Sequence, residues 1–219
     1  FFLKKNYKNI KIINYQHGHC TSNILFDNHR SKEFSKKNSL NGINYSPAPD
    51  IFLTQGDQYN KIVKKFFKNK IYSIGCLKYD KLVFKNSFNE KDKIRKKTIL
   101  VCPSIGDEDD LLQYFYKSKV KNIRLILSPH PTYKNETIKR FKKKLKDKFF
   151  IEIFNNKSTF ELVQIADLVV CGFSSVAFEA GILGKKAIRA INLSNPIYNE
   201  YNDGVPFVFD QKKFDHKLK

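Results

Sequence analysis

Ala166-Asp167-Leu168-Val169-Val170-Cys171-Gly172-Phe173-Ser174-Ser175-Val176-Ala177-Phe178-Glu179-Ala180-Gly181 is the stretch that decides the fold class. A continuous apolar run, Leu168 to Cys171, reads as a strand covered on both faces, which is how strands of a parallel sheet are written. Gly-Phe-Ser-Ser then breaks it, and a helical pattern starts at once with Ser174 or Ser175 placed to cap it. Strand, tight turn and helix in sixteen residues are half of a βαβ unit.

The same grammar extends in both directions. Strands are expected at Ile10–Tyr15, Ile51–Thr54, Ile71–Ile74, Thr98–Cys102, Ile123–Leu127, Phe149–Phe154, Leu168–Cys171 and Ala187–Ile191. Helices are expected at Gln58–Phe67, Asp109–Lys117, Glu136–Lys146, Thr159–Ile165 and Ser175–Leu183, with Ser158 and Glu161 forming a capping box. The fold class is therefore α/β with a Rossmann-type parallel sheet. The polar segment around Lys85–Lys93 has neither periodicity and reads as a linker, set at residues 85–97. It separates the tail of a preceding α/β domain, residues 1–84, from a complete domain, residues 98–219. After Ile191, GVPFVFD suggests one last short strand before a basic, frayed tail. Residues 28–49 form a long polar connection of the kind that serves as a functional loop or lid.

Composition narrows the function class. An apolar fraction of 41% with 20 Phe and 11 Tyr excludes a disordered basic tail. The net charge of +20 is compatible with a nucleic acid, an anionic membrane surface or a phosphorylated substrate. Only five of the basic residues are arginines, Arg30, Arg95, Arg124, Arg140 and Arg189, which weighs against base-edge recognition. Cys20, Cys76, Cys102 and Cys171 are too scattered for a disulfide framework and fit a reducing compartment. No run approaches the roughly 20 apolar residues of a transmembrane helix. A first residue of Phe and the lack of any methionine suggest a segment of a longer protein.

Three sites could carry chemistry, each in a loop at a strand's carboxyl end, where open parallel sheets bind ligands. In Ser128-Pro129-His130-Pro131, two prolines stiffen the loop around a histidine that can donate to a phosphate or exchange a proton. At Ser174 and Ser175, hydroxyls beside the free amides of a helix start can cradle an anion, and Glu179 one turn on could reach a ribose or sugar hydroxyl. In Gln16-His17-Gly18-His19-Cys20, His17 beside a glycine suits a catalytic base. Zinc at His17, His19 and Cys20 with His29 would need distant help, so no metal is expected. Asp107 and Glu108, after the strand ending at Cys102, form a candidate substrate loop. Neither GxxxxGK[ST] nor GxGxxG occurs, and no bound cofactor is expected.

Taken in order, His17-Gly18, Gly75 to Asp80 in GCLKYD, Pro103, Ser-Pro-His130-Pro131 and Phe173-Ser174-Ser175 resemble the bacterial CDP-glycerol glycerophosphotransferases and polysialyltransferases, with related capsule and surface-carbohydrate transferases. The resemblance spans about Ile12 to Ile191 and implies a GT-B architecture, two Rossmann-like domains facing a cleft. It assigns residues 1–84 to the end of an acceptor domain and residues 98–219 to donor binding. It implies that His130, Pro131, Ser174 and Ser175 hold the phosphates of a CMP- or CDP-linked donor, and that His17 and Asp80 are catalytic. In place of the acidic motif ending in glycine of the polysialyltransferases, Gly106 here precedes Asp107 and Glu108. The implied reaction moves a glycosyl or polyol-phosphate group to a surface polysaccharide or lipid-linked precursor. The implied location is cytoplasmic, with surface lysines resting on the inner face of an anionic membrane. Two other readings compete: a UDP-sugar 2-epimerase of the same architecture, and a basic nucleic-acid-binding module, which lacks the aromatic platform it would need.

Overall fold

The computed structural model describes residues 9–16, 50–64, 70–76, 96–104, 106–154, 156–192 and 204–219. The chain divides into two compact units, Phe1–Phe84 and Lys85–Lys219. In the first, β1 (Ile13–Tyr15), β2 (Ile51–Thr54) and β3 (Lys70–Ser73) pair in parallel in the order β1-β2-β3, with α1 (Asp57–Val63) between β2 and β3. Val63 and Tyr59 turn the apolar side of α1 inward and are buried.

The second unit carries β4 (Lys97–Cys102), α2 (Glu108–Lys117), β5 (Ile123–Leu127), α3 (Lys134–Leu145), β6 (Phe150–Glu152), α4 (Thr159–Ile165), β7 (Leu168–Cys171), α5 (Val176–Ile182), β8 (Lys186–Ala190), β9 (Phe207–Val208) and α6 (Gln211–Leu218). Among the described residues its six strands are all parallel and run β6-β5-β4-β7-β8-β9 across the sheet. That is the doubly wound order, in which the chain leaves from the centre toward one edge, returns, and continues to the other. The reversal falls between β4 and β7, where sheets of this order have a crevice at the strands' carboxyl ends.

Alternation along the strands builds two cores. Ile99, Val101, Leu125, Leu127 and Val170 face one side, where Leu111 and Phe115 of α2, Phe141 and Leu145 of α3 and Phe214 and Leu218 of α6 cover them. Leu100, Cys102, Ile126, Val169 and Cys171 face the other, under Leu162 and Val163 of α4 and Ala177 and Ala180 of α5. Burial on both faces explains why these strands read as unbroken apolar runs. The capping box is present as expected: Ser158 Oγ accepts from Glu161 N, and the Glu161 carboxylate accepts from Ser158 N at 2.8 Å.

The end of the chain departs from the sequence reading. In place of a frayed tail, residues 211–218 form α6, started by the Asp210 carboxylate accepting from Lys213 N at 2.7 Å. Its i and i+4 residues, Phe214 and Leu218, are both fully buried. The Phe214 ring lies tilted 4.9 Å from that of Tyr114 and meets Phe115 edge-on at 5.1 Å. No helix among the described residues is long and apolar enough to cross a membrane.

Because α6 closes one face of the core, Phe214→Ala is expected to cost about 3–5 kcal/mol of stability. A urea titration of the full chain, read by tryptophan-independent means such as far-UV circular dichroism, checks it. A loss under about 1 kcal/mol would mean that α6 is a peripheral appendage.

Candidate functional site

The crevice at the sheet reversal is framed by three loops, following β4, β5 and β7, and a chain of hydrogen bonds ties them together. His130 N donates to Pro103 O at 2.9 Å, and Ser128 N donates to Val101 O at 2.9 Å, so the loop after β5 leans on the loop after β4. Asp107, at the end of the β4 loop, reaches across the reversal: its carboxylate accepts from Phe173 N at 2.6 Å, in the loop after β7. The same carboxylate accepts from Ser104 N at 2.7 Å and Ser104 Oγ at 2.6 Å. From beneath, Arg189 on β8 donates through Nη1 to the carbonyl of Gly172, and to that of Ser174 at 3.1 Å.

Both ions are removed from water, since Asp107 and Arg189 are 0% exposed. Burial pushes the Asp107 carboxyl up to about 6, against the three donors that favour its charged form and the nearby Arg189 cation. Gly172 is the residue that lets the carboxylate in. A Cβ at that position would stand 2.4 Å from Asp107 Oδ2 and from its Cβ, closer than any side chain tolerates.

The residues singled out in the sequence take distinct places in this frame. His130 is exposed, and its Nδ1 accepts from Thr132 N at 3.3 Å at the start of a short 3-10 turn, Pro131–Tyr133. With Nδ1 used as an acceptor, the neutral ring carries its proton on Nε2 and can donate it outward. Pro131 occupies the first position of that turn, where its missing N–H costs nothing. Ser174 Oγ accepts from Val176 N at 3.3 Å, and Ser175 takes the N-cap position of α5 without a side-chain cap bond. Glu179 is 4% exposed, in the interior beside Cys102. Burial first, then the charges of Cys171, Glu179 and Asp107, push the Cys102 thiol well above its usual value, so this sulfur is a packing group.

The loop expected to meet substrate is turned otherwise. Asp107 faces inward, and Glu108 pairs with Arg140 of α3 at 2.9 Å, an ion pair that Asp109 shares. His17 and Asp80 lie outside the described residues. The residue before His17 is described: Gln16 is buried and exchanges bonds with Gln55, accepting from Gln55 N at 2.8 Å and from Gln55 Nε2 at 3.0 Å. Arg189 was missed as a site residue by sequence reasoning. Its signal was an arginine inside the apolar strand KAIRAI, where a cation must be compensated.

With this geometry in view, the comparisons are specific. Residues 3–191 match the family described as CDP-glycerol:poly(glycerophosphate) glycerophosphotransferase. Among solved structures the chain is similar to the wall teichoic acid polymerase TagF, at 19% identity over 78% of this chain and 46% of that one, TM-score 0.52. It is also similar to TarM of S. aureus, at 14% identity over 97% of this chain and 44% of that one, TM-score 0.55. A third is the glycotransferase of kitacinnamycin, at 12% identity over 99% and 63%, TM-score 0.55. These neighbours share the GT-B fold, and the chain spans less than half the length of TagF and of TarM. No curated protein matches.

The Asp107 tie yields a signed pH dependence. The folded carboxyl holds its proton up to about 6, whereas the unfolded one releases it near 3.8. Between those values the folded state binds more protons, so this group's contribution to stability falls as pH rises from about 4 to about 6. Urea midpoints across pH 4–7 should show that falling component in the parent chain and not in Asp107→Asn; parallel curves would contradict it. Gly172→Ala should lower stability by about 1–3 kcal/mol at neutral pH, as overpacking does.

Proposed function

The chain belongs to the CDP-glycerol:poly(glycerophosphate) glycerophosphotransferase family, and we propose that it transfers a polyol-phosphate or glycosyl group from a CDP- or CMP-activated donor to a surface polymer. The observation that carries this reading is the tied crevice itself. A histidine with an outward Nε2–H and two serines at a helix start belong to loops fixed at one sheet reversal, the usual seat of a nucleotide in this kind of sheet. TagF, which shares the fold, is a wall teichoic acid polymerase.

In this proposal His130 and Ser174 with Ser175 receive the donor's phosphates. Nε2–H donates to a non-bridging oxygen, while the serine hydroxyls serve the others. For a CDP-linked polyol, an acceptor hydroxyl attacks the phosphorus bearing the polyol. The P–O bond to CMP breaks, and the hydroxyl proton passes to His17 as base. The charge growing on departing CMP is met by donors already in place, which lowers the barrier without reorganisation. Asp107 and Arg189 touch no reacting atom in this scheme; they hold the backbone that presents the serines. Asp80, the other residue implied as catalytic, enters the reading only through the family motif. Glu179 sits too deep to be assigned more than support of α5.

If His130 grips donor phosphate, His130→Ala should weaken CDP-glycerol binding by roughly 10–100-fold, the worth of one hydrogen bond to a charged group. His130→Gln, which keeps an N–H donor, should recover part of the loss. Calorimetry on the full chain reads both, and unchanged affinity in the alanine variant would remove His130 from the donor site.

A further inference from the structure

At the opposite, amino edge of the six-stranded sheet lies a cleft of about 880 Å³. Lys97, Lys185, Lys186, Lys217, Lys219 and His216 line it, with Asp167 as its single acid. The six-residue strand β4 separates its Lys97 end from the donor loops by about 17 Å, so this is a second place on the domain. We propose that this cleft binds a phosphodiester-linked polyanion, the growing polymer itself. The polymer's identity rests on the functional reading above.

Charge supports an anion there. Helices α4, α5 and α6 end at this edge, and each end contributes about half a negative charge. Asp167 adds one, but its carboxylate accepts the Thr98 N–H at 2.7 Å. Set against five lysines, this leaves an excess of about two to three positive charges. Lys97, Lys186, Lys217 and Lys219 form no ion pair among the described residues. Lysine heads are compact point charges on flexible stems, suited to the single non-bridging oxygens of successive phosphodiesters.

Shape favours a chain over a bilayer. The site is concave, and Gly181, Gly184 and Gly204 on its wall leave backbone accessible and room for a small repeating unit. None of the exposed large apolar residues, such as Tyr116 and Phe150, lines it, so it offers nothing to insert among lipid tails. A polymer held there stays with the enzyme between transfers, because a second contact on one chain raises the effective concentration at the first.

The test is calorimetric titration of the full chain with poly(glycerol phosphate), with a phosphate-free dextran as control and with phosphatidylglycerol vesicles as a separate arm. K186E/K217E should weaken polymer binding by roughly tenfold or more at low salt, K186R/K217R should retain it, and CDP-glycerol binding should be the same in all three. Both substituted positions are exposed, so folding is not at stake. Polymer binding that ignores the charge reversal overturns the proposal. So does a reversal that abolishes vesicle binding while leaving polymer binding intact, which would make the edge a lipid-facing surface. Reversal-sensitive polymer binding in a chain that neither binds CDP-glycerol nor transfers from it supports the cleft and removes the functional reading.

Discussion

One buried carboxylate holds the candidate site in shape. Asp107 takes the Phe173 N–H across the sheet reversal and both donors of Ser104, and every loop that frames the crevice is bonded directly or at one remove to that group. A buried anion is costly by itself, so this arrangement persists only with its donors in place and with Arg189 nearby. Arg189 meets the same condition from the other side, since the carbonyls it holds belong to the loop whose amide Asp107 holds. The loop after β7 is thus fastened by its N–H and its C=O groups at once. Its serines are positioned by that backbone, with Ser174 Oγ also accepting from Val176 N at 3.3 Å.

This division of labour separates groups that face the crevice from groups that position them. His130 and Ser175 lie on short turns with stiff or capped backbones, and their functional atoms are not consumed by the fold. The inward residues are engaged by the fold, Asp107 through three donors and Arg189 Nη1 through two carbonyls. Such a frame is preorganised: its loops are fixed before any ligand arrives, and no part of a binding energy need be spent arranging them.

Much of this was legible in the sequence because the sheet is covered on both faces. Unbroken apolar runs marked β4, β5 and β7 to within a residue or so, and Ser158 with Glu161 marked the start of α4. The GT-B fold and the family were read from short motifs in order, and both stand in the comparisons. Other features were hidden for physical reasons. α6 looked like a basic tail since six of its eight residues are polar, yet Phe214 and Leu218 stand one turn apart and suffice to dock it. Asp107 looked like a substrate group because charge is visible in a sequence and burial is not. Arg189 was in plain view within an apolar strand, but its partners are backbone carbonyls, which no side-chain pattern announces.

The tie between Asp107 and Phe173 also has a meaning in time. Its two ends are 66 residues apart, and Arg189 lies further on still. Contacts of such long sequence separation form late, after the loop entropy between them has been overcome. During synthesis β4, β5 and the His130 loop emerge first, with an acid in search of a partner that has not yet been made. Only when β7 and β8 have left the ribosome can β4 take its place at the centre of the sheet and the crevice close. A nascent chain therefore has no complete crevice until nearly its whole second unit exists, and the Asp107–Phe173 bond becomes a report that folding of that unit is complete.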